Sequence, residues 1–103
     1  MTDHGNHSNF FHDKEVLLLE DETLLAKRIT AVLEKMGAEV THAGSIEEAR
    51  QSLKELSFDC VLFDLNLPDG ESLELLKEHA VPENTLVVLM TGEGGVRSAV
   101  EAL

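Results

Sequence analysis

Apolar residues gather in three short runs: VLLL at 16–19, CVLF at 60–63 and LVVLM at 86–90. Each is too short for a buried helix, and none alternates polar with apolar. That is the pattern of strands covered on both faces, as in a parallel sheet. AEVTHA at 38–43 does alternate, and predicts a weaker strand nearer the sheet edge. Between these runs the period lengthens. Leu24, Leu25, Ile29, Val32, Leu33 and Met36 recur at helical spacings and predict one buried helix face, with Gly37 ending the helix. SIEE at 45–48 reads as a capping box, Ser45 with Glu48, ahead of Ala49, Leu53 and Leu56. Leu73 and Leu76 open a shorter helix after Gly70 and Ser72, and Val96 to Leu103 reads as the start of a last one. The order β-α-β-α-β-α-β-α, with right-handed crossovers, puts helices on both faces of a parallel sheet. The expected fold is therefore α/β and doubly wound, one domain over 15–103. A polar, His-rich arm over 1–14 shows neither period.

Composition narrows the function classes. Among 103 residues, 20 Asp and Glu face 8 Lys and Arg, for a net charge of −12, and no basic run occurs. Displacing counterions from nucleic acid requires clustered Lys and Arg, so direct DNA or RNA contact is not expected. An anionic membrane surface is disfavoured for the same reason, while a divalent cation or a basic protein surface suits the charge. Cys60, the one cysteine, lies in an apolar run; it cannot form an internal disulfide and reads as a small buried hydrophobe. With no signal-peptide layout at the N-terminus and no apolar run of membrane-spanning length, the reading is cytoplasmic. His4, His7 and His12 could bind a transition metal, but a polar arm explains them more simply.

The chemistry collects where predicted strands end. Ligands of doubly wound sheets bind beyond the carboxyl ends of the strands, where strand order switches. The first strand ends in Glu20 and Asp21, the third in Asp64, and the fourth in Thr91 and Gly92. If the first and third are neighbours, three carboxylates share a cleft and need a cation to offset their repulsion. An all-oxygen donor set suits Mg²⁺, which keeps several waters and shares a phosphate oxygen with a substrate. Asp64 is then the nucleophile toward a phosphoryl group. The Thr91 hydroxyl and the backbone N–H groups of Leu65 and Gly92 are candidate donors to that group.

EDE after VLLL, DLNLPDG around Asp64, and MTGEGG after the fourth strand, in this order and spacing, resemble a bacterial response-regulator receiver domain over residues 15–103. The resemblance implies a flavodoxin-like sheet of order 2-1-3-4-5 and phosphorylation of Asp64 by a sensor histidine kinase. It also implies metal ligation by Glu20, Asp21, Asp64 and the carbonyl of Asn66, and a switch role for the Thr91 hydroxyl. MTGEGGVRSAVEAL looks most like receivers that precede the ATPase output domain of enhancer-binding transcription regulators. The family's fifth strand carries a Lys that pairs with the phosphoryl group and an aromatic switch residue. The chain stops before either, and no basic residue substitutes by position, so the expected order is 2-1-3-4 with the fifth strand and helix missing. LVVLM would then have a neighbour on one side only, which predicts self-association through this strand or the last helix.

Other readings stand beside this one. Asp21 or Thr23 could simply cap the first helix. GEGG at 92–95 lacks the Lys-Ser/Thr ending of a P-loop and reads as a flexible connection. A receiver without the Lys could act as a docking module that binds protein partners whatever its phosphorylation state. A haloacid-dehalogenase-like phosphatase also uses a strand-end Asp, but wants a second acid two residues on, where Asn66 stands.

Overall fold

The continuous apolar runs become the centre of a sheet. In chain order the elements are β1 Glu15–Leu19, α1 Thr23–Lys35, β2 Glu39–Ala43, α2 Ile46–Glu55, β3 Cys60–Asp64, β4 Asn66–Leu67, β5 Gly70–Glu71, α3 Leu73–Lys77, β6 Leu86–Met90 and β7 Val96–Ser98. The structure is a computed structural model that describes residues 10–67, 69–90 and 96–98. The main sheet runs β2-β1-β3-β6-β7, and β4 and β5 form a separate small hairpin. β1 pairs in parallel with β2 and β3, and β3 pairs in parallel with β6. The expected 2-1-3-4 order is thus met by β2, β1, β3 and β6. β2, the strand expected at the edge, is the edge.

Alternation divides the core between the two faces. Leu17, Leu19, Val61, Phe63, Val87 and Leu89 point toward α2 and α3, where Ile46, Ala49 and Leu75 cover them. Val16, Leu18, Cys60, Leu62 and Met90 point the other way, with Ala26 and Leu33 of α1. The α1 face differs from the expected one. Leu24, Leu25, Val32 and Met36 are exposed, and the buried stripe runs through Ala26, half-buried Ile29 and Leu33. Two apolar stripes share this helix, and the sheet takes the one whose small Ala26 permits close approach.

Both ends of the chain depart from expectation. Residues 96–98 are not helical: β7 pairs antiparallel with β6, with Val96 opposite Met90 and Ser98 opposite Val88. Only residues 91–95 separate the two strands, too few for a parallel crossover, which needs a dozen or more. The open apolar edge of β6 is a template for pairing, and the chain's own residues take it over Val88–Met90. Over Val88–Met90 the edge of the fourth strand is therefore not bare, and the expected last helix does not begin at Val96; residues 99–103 lie outside the described residues. At the other end, residues 10–14 of the expected arm are part of the fold. Residues 10–13 form turns, half-buried Phe11 packs against the α1-side core, and the Asp13 N–H donates to the Gly37 carbonyl at 2.9 Å.

Two helices stop in the same way. After α1, the Gly37 and Ala38 N–H groups return to the Glu34 and Leu33 carbonyls; after α3, those of His79 and Ala80 return to Leu76 and Leu75. This double closure requires a left-handed residue. Gly37 supplies φ +95° without strain, and a Cβ there would also strike His12. His79 holds φ +59° with a Cβ, which costs about 1–2 kcal/mol. His79→Gly is expected to stabilise the fold by roughly 0.5 kcal/mol, because glycine's extra unfolded-state freedom offsets part of that gain. Urea unfolding checks it.

Candidate functional site

β1 and β3 are adjacent and in register, Leu19 beside Phe63. Their carboxyl ends therefore deliver Glu20, Asp21 and Asp64 to one place. One carboxylate oxygen from each lies within 4.8 Å of the others. Glu20 is buried, Asp64 half-buried and Asp21 exposed. The cluster thus grades from core to solvent, as a site loaded from water requires.

Glu20 is held at three atoms. Its N–H donates to the Ala43 carbonyl at 3.0 Å, extending the β1–β2 ladder. Its Oε2 accepts from the Glu22 N–H at 3.0 Å, and its carbonyl lies 2.7 Å from His42 Nε2. Burial pushes the Glu20 carboxyl above its ordinary value; the Glu22 N–H opposes this, and the charges of Asp64, Asp21 and Glu22 add to it. The N-cap of α1 is Glu22, not Asp21 or Thr23, and its side chain makes no cap hydrogen bond.

The segment after Asp64 is tied down locally. The Leu65 N–H donates to the Met90 carbonyl at 3.2 Å, and the Leu65 carbonyl accepts from the Ser72 N–H at 3.4 Å. The Leu65 N–H is therefore spent on the β3–β6 ladder, and the expected phosphate contact from this group is not supported. The turn just past Asn66 reaches α2 instead. Asp69 accepts from the Ile46 N–H at 3.0 Å and the Glu47 N–H at 3.2 Å. These bonds, the Ile46 one foremost, hold the Asp69 carboxyl below its ordinary value. Half of the expected capping box is present beside it: Ser45 Oγ accepts from the Glu48 N–H at 3.2 Å, while Glu48 Oε1 accepts at 2.7 Å from the Gly44 N–H, one residue before the cap. Asp69 and His42 went unrecognised in the sequence, since each bonds a backbone group distant in the chain. Thr91, Gly92, the rest of GEGG, Pro68, His4 and His7 lie outside the described residues. The Asn66 backbone is placed in β4, paired with Glu71.

No described helix is long and apolar enough to cross a membrane. The family described as response regulator receiver domain matches residues 16–103. The swarming motility regulation protein RssB of Serratia marcescens is 33% identical over 89 residues, covering 85% of this chain and 41% of that protein. The response regulator protein PilR of Pseudomonas aeruginosa is 30% identical over 92 residues, covering 87% of this chain and 20% of that protein. The chain thus spans less than half the length of either relative. Among solved structures, a CheY-like receiver domain from Methanospirillum hungatei JF-1 is similar at TM-score 0.73 and 31% identity, over 81% of this chain and 67% of that one. The beryllofluoride-activated NtrC4 receiver domain dimer is similar at TM-score 0.70 and 32% identity, over 85% and 74%. With the adjacent strand ends and the acids they carry, the match over 16–103 places this chain in the response regulator receiver domain family.

Proposed function

We propose that this domain is a phosphorylation-dependent switch of a two-component system, with Asp64 as acceptor of a phosphoryl group from a sensor histidine kinase. The observation that carries this reading is the convergence of Glu20, Asp21 and Asp64 within 4.8 Å at adjacent strand ends of a receiver domain. A carboxylate oxygen of Asp64 attacks phosphorus, the phosphorus–nitrogen bond of a phosphohistidine breaks, and the imidazole nitrogen leaves with the electron pair. The product is an acyl phosphate on Asp64.

The donor set fits Mg²⁺: all oxygen, anionic and reached from solvent at Asp21. Glu20, Asp21, Asp64 and the Asn66 carbonyl would hold it. When bound, it supplies charge neutralisation at the transferring oxygens. A related Burkholderia pseudomallei response regulator, 26% identical with TM-score 0.72, carries a phosphorylated aspartic acid and a calcium ion in its solved structure. That precedent supports a divalent cation beside an aspartyl phosphate here. The residues' own work is positional: the buried, thrice-bonded Glu20 is rigid, and Asp64 is set by the β3 register. The Thr91 hydroxyl and Gly92 N–H remain the proposed donors to the phosphoryl group. The domain is a signalling module, not a turnover enzyme. In this reading it is cytoplasmic and governs an output domain in a longer transcription regulator; transcriptional regulator FixJ, 29% identical, is one relative of that kind.

The test is intact mass after incubation with Mg²⁺ and a small acyl-phosphate donor. One added phosphoryl group on the wild type, and none on Asp64→Asn, is the expected result. Addition to both, or to neither while both remain folded, overturns the assignment.

A further inference from the structure

β2 ends at Ala43, and Ser45 turns the chain into α2. The parallel ladder therefore stops between the two backbone groups of Glu20. Its N–H is satisfied by the Ala43 carbonyl at 3.0 Å, but the N–H that would continue the ladder onto its carbonyl belongs to Ser45, beyond the end of the strand. His42 Nε2 stands 2.7 Å from that carbonyl. A carbonyl oxygen can only accept, so Nε2 carries the hydrogen, whether the ring is neutral or charged. A side chain thus replaces a missing backbone donor on the residue that opens the acidic cleft.

From this geometry we infer that His42 is a positioning residue for the cleft: its Nε2–H fixes the Glu20 peptide, and with it the placement of the Glu20 and Asp21 carboxylates. Glu20 and Asp21 share the peptide whose oxygen His42 holds, so rotation of that peptide would swing both. The Glu22 N–H bond to Glu20 Oε2, 3.0 Å long, spans the same turn and would lengthen with it. His42 is not one of the residues that would hold the cation; its part runs through the Glu20 backbone. The metal half of this inference rests on the Mg²⁺ reading above; the backbone half does not.

Two measurements on the folded domain separate those halves. Amide hydrogen exchange of Glu22 without Mg²⁺ is expected to quicken by about tenfold in His42→Ala, as the turn loosens, and to stay near wild type in His42→Gln, whose amide N–H has similar reach. Calorimetric Mg²⁺ titration is expected to show on the order of fivefold weaker binding for His42→Ala, with His42→Gln within about twofold of wild type. Unchanged exchange and affinity in His42→Ala would overturn the inference, as would a His42→Gln protein no better than His42→Ala. A wild type that fails to bind Mg²⁺ would overturn the metal reading and the metal half of this one, leaving Glu22 exchange to decide whether His42 holds the turn.

Discussion

Asp64→Asn is expected to lose all phosphoryl uptake and most of its Mg²⁺ response, yet to melt higher than the wild type when Mg²⁺ is absent. The opposite signs come from one cause. Three carboxylate oxygens lie within 4.8 Å of each other, and two unit charges at such a separation in a half-wet cleft repel by about 1–3 kcal/mol. The metal-free fold carries this repulsion; the unfolded chain does not. Removing one charge therefore stabilises the metal-free protein, by a melting shift of roughly 4–8 °C per kcal/mol for a domain of this size. Saturating Mg²⁺ is expected to raise the wild type by mass action, whereas the variant, lacking one proposed ligand, should move little. The pH dependence follows from Glu20. Its carboxyl is raised above the ordinary 4.5, chiefly by burial, so its favourable contribution is present below that value. The contribution is lost as pH rises through the raised folded value. Asp64→Asn removes one of the lesser causes, so metal-free stability should decline less steeply over that window. Differential scanning calorimetry from pH 4 to 8, with and without Mg²⁺, reads all of these outcomes. A metal-free Asp64→Asn that melts below the wild type would show that the cluster does not strain the fold.

How much of this was legible in the sequence depended on how local the deciding forces are. VLLL, CVLF and LVVLM announced central strands because burial on both faces removes all polar residues from a short run. The acids stood out because polar residues follow abruptly where each apolar run ends, although the first of them, Glu20, is itself buried. Their convergence needed only one further step, that β1 and β3 are neighbours. α1 was harder. Period alone identifies a helix, but Leu24, Leu25, Val32 and Met36 form a second apolar stripe, and only the sheet decides which stripe is buried. β7 was lost for a related reason. VRSAVEAL carries a helical period, and the unpaired edge of β6, a partner distant in kind, pulls residues 96–98 into a strand. Hydrogen bonds to backbone atoms were the least legible. His42 on the Glu20 carbonyl, Asp69 on the Ile46 and Glu47 N–H groups, and Leu65 on the Met90 carbonyl leave no residue-type signature.

Phe63→Ala is expected to cost about 3–5 kcal/mol, the range for emptying a buried aromatic site. Phe63 is fully buried, stands in register between Leu19 and Leu89, and packs in the core shared with Ile46, Ala49 and Leu75. Domains of this kind hold only about 5–15 kcal/mol of net stability, and a short chain sits toward the lower end. The loss should therefore move the urea midpoint far down and leave a measurable unfolded fraction in water. Cys60 reports that fraction directly. Its thiol is fully buried and pushed up to about 11, by burial first and by the charge of Asp59 second, so in the intact fold it is both shielded and protonated. A thiol reagent at neutral pH should label the wild type slowly and Phe63→Ala about a hundredfold to a few thousandfold faster, since each 1.4 kcal/mol of lost stability multiplies the open population tenfold. Phe63→Leu keeps most of the volume and should cost about 1–1.5 kcal/mol, with Cys60 still protected. The same substitution reaches the site, because Asp64 follows Phe63 on β3 and takes its direction from how that strand is seated. Phe63→Leu should thus bind Mg²⁺ close to wild type, and Phe63→Ala only as well as its folded fraction allows. A Phe63→Ala protein with a wild-type urea midpoint and a protected Cys60 would mean that α2 and α3 close over the vacated space, and that Phe63 does not anchor the strand that carries Asp64.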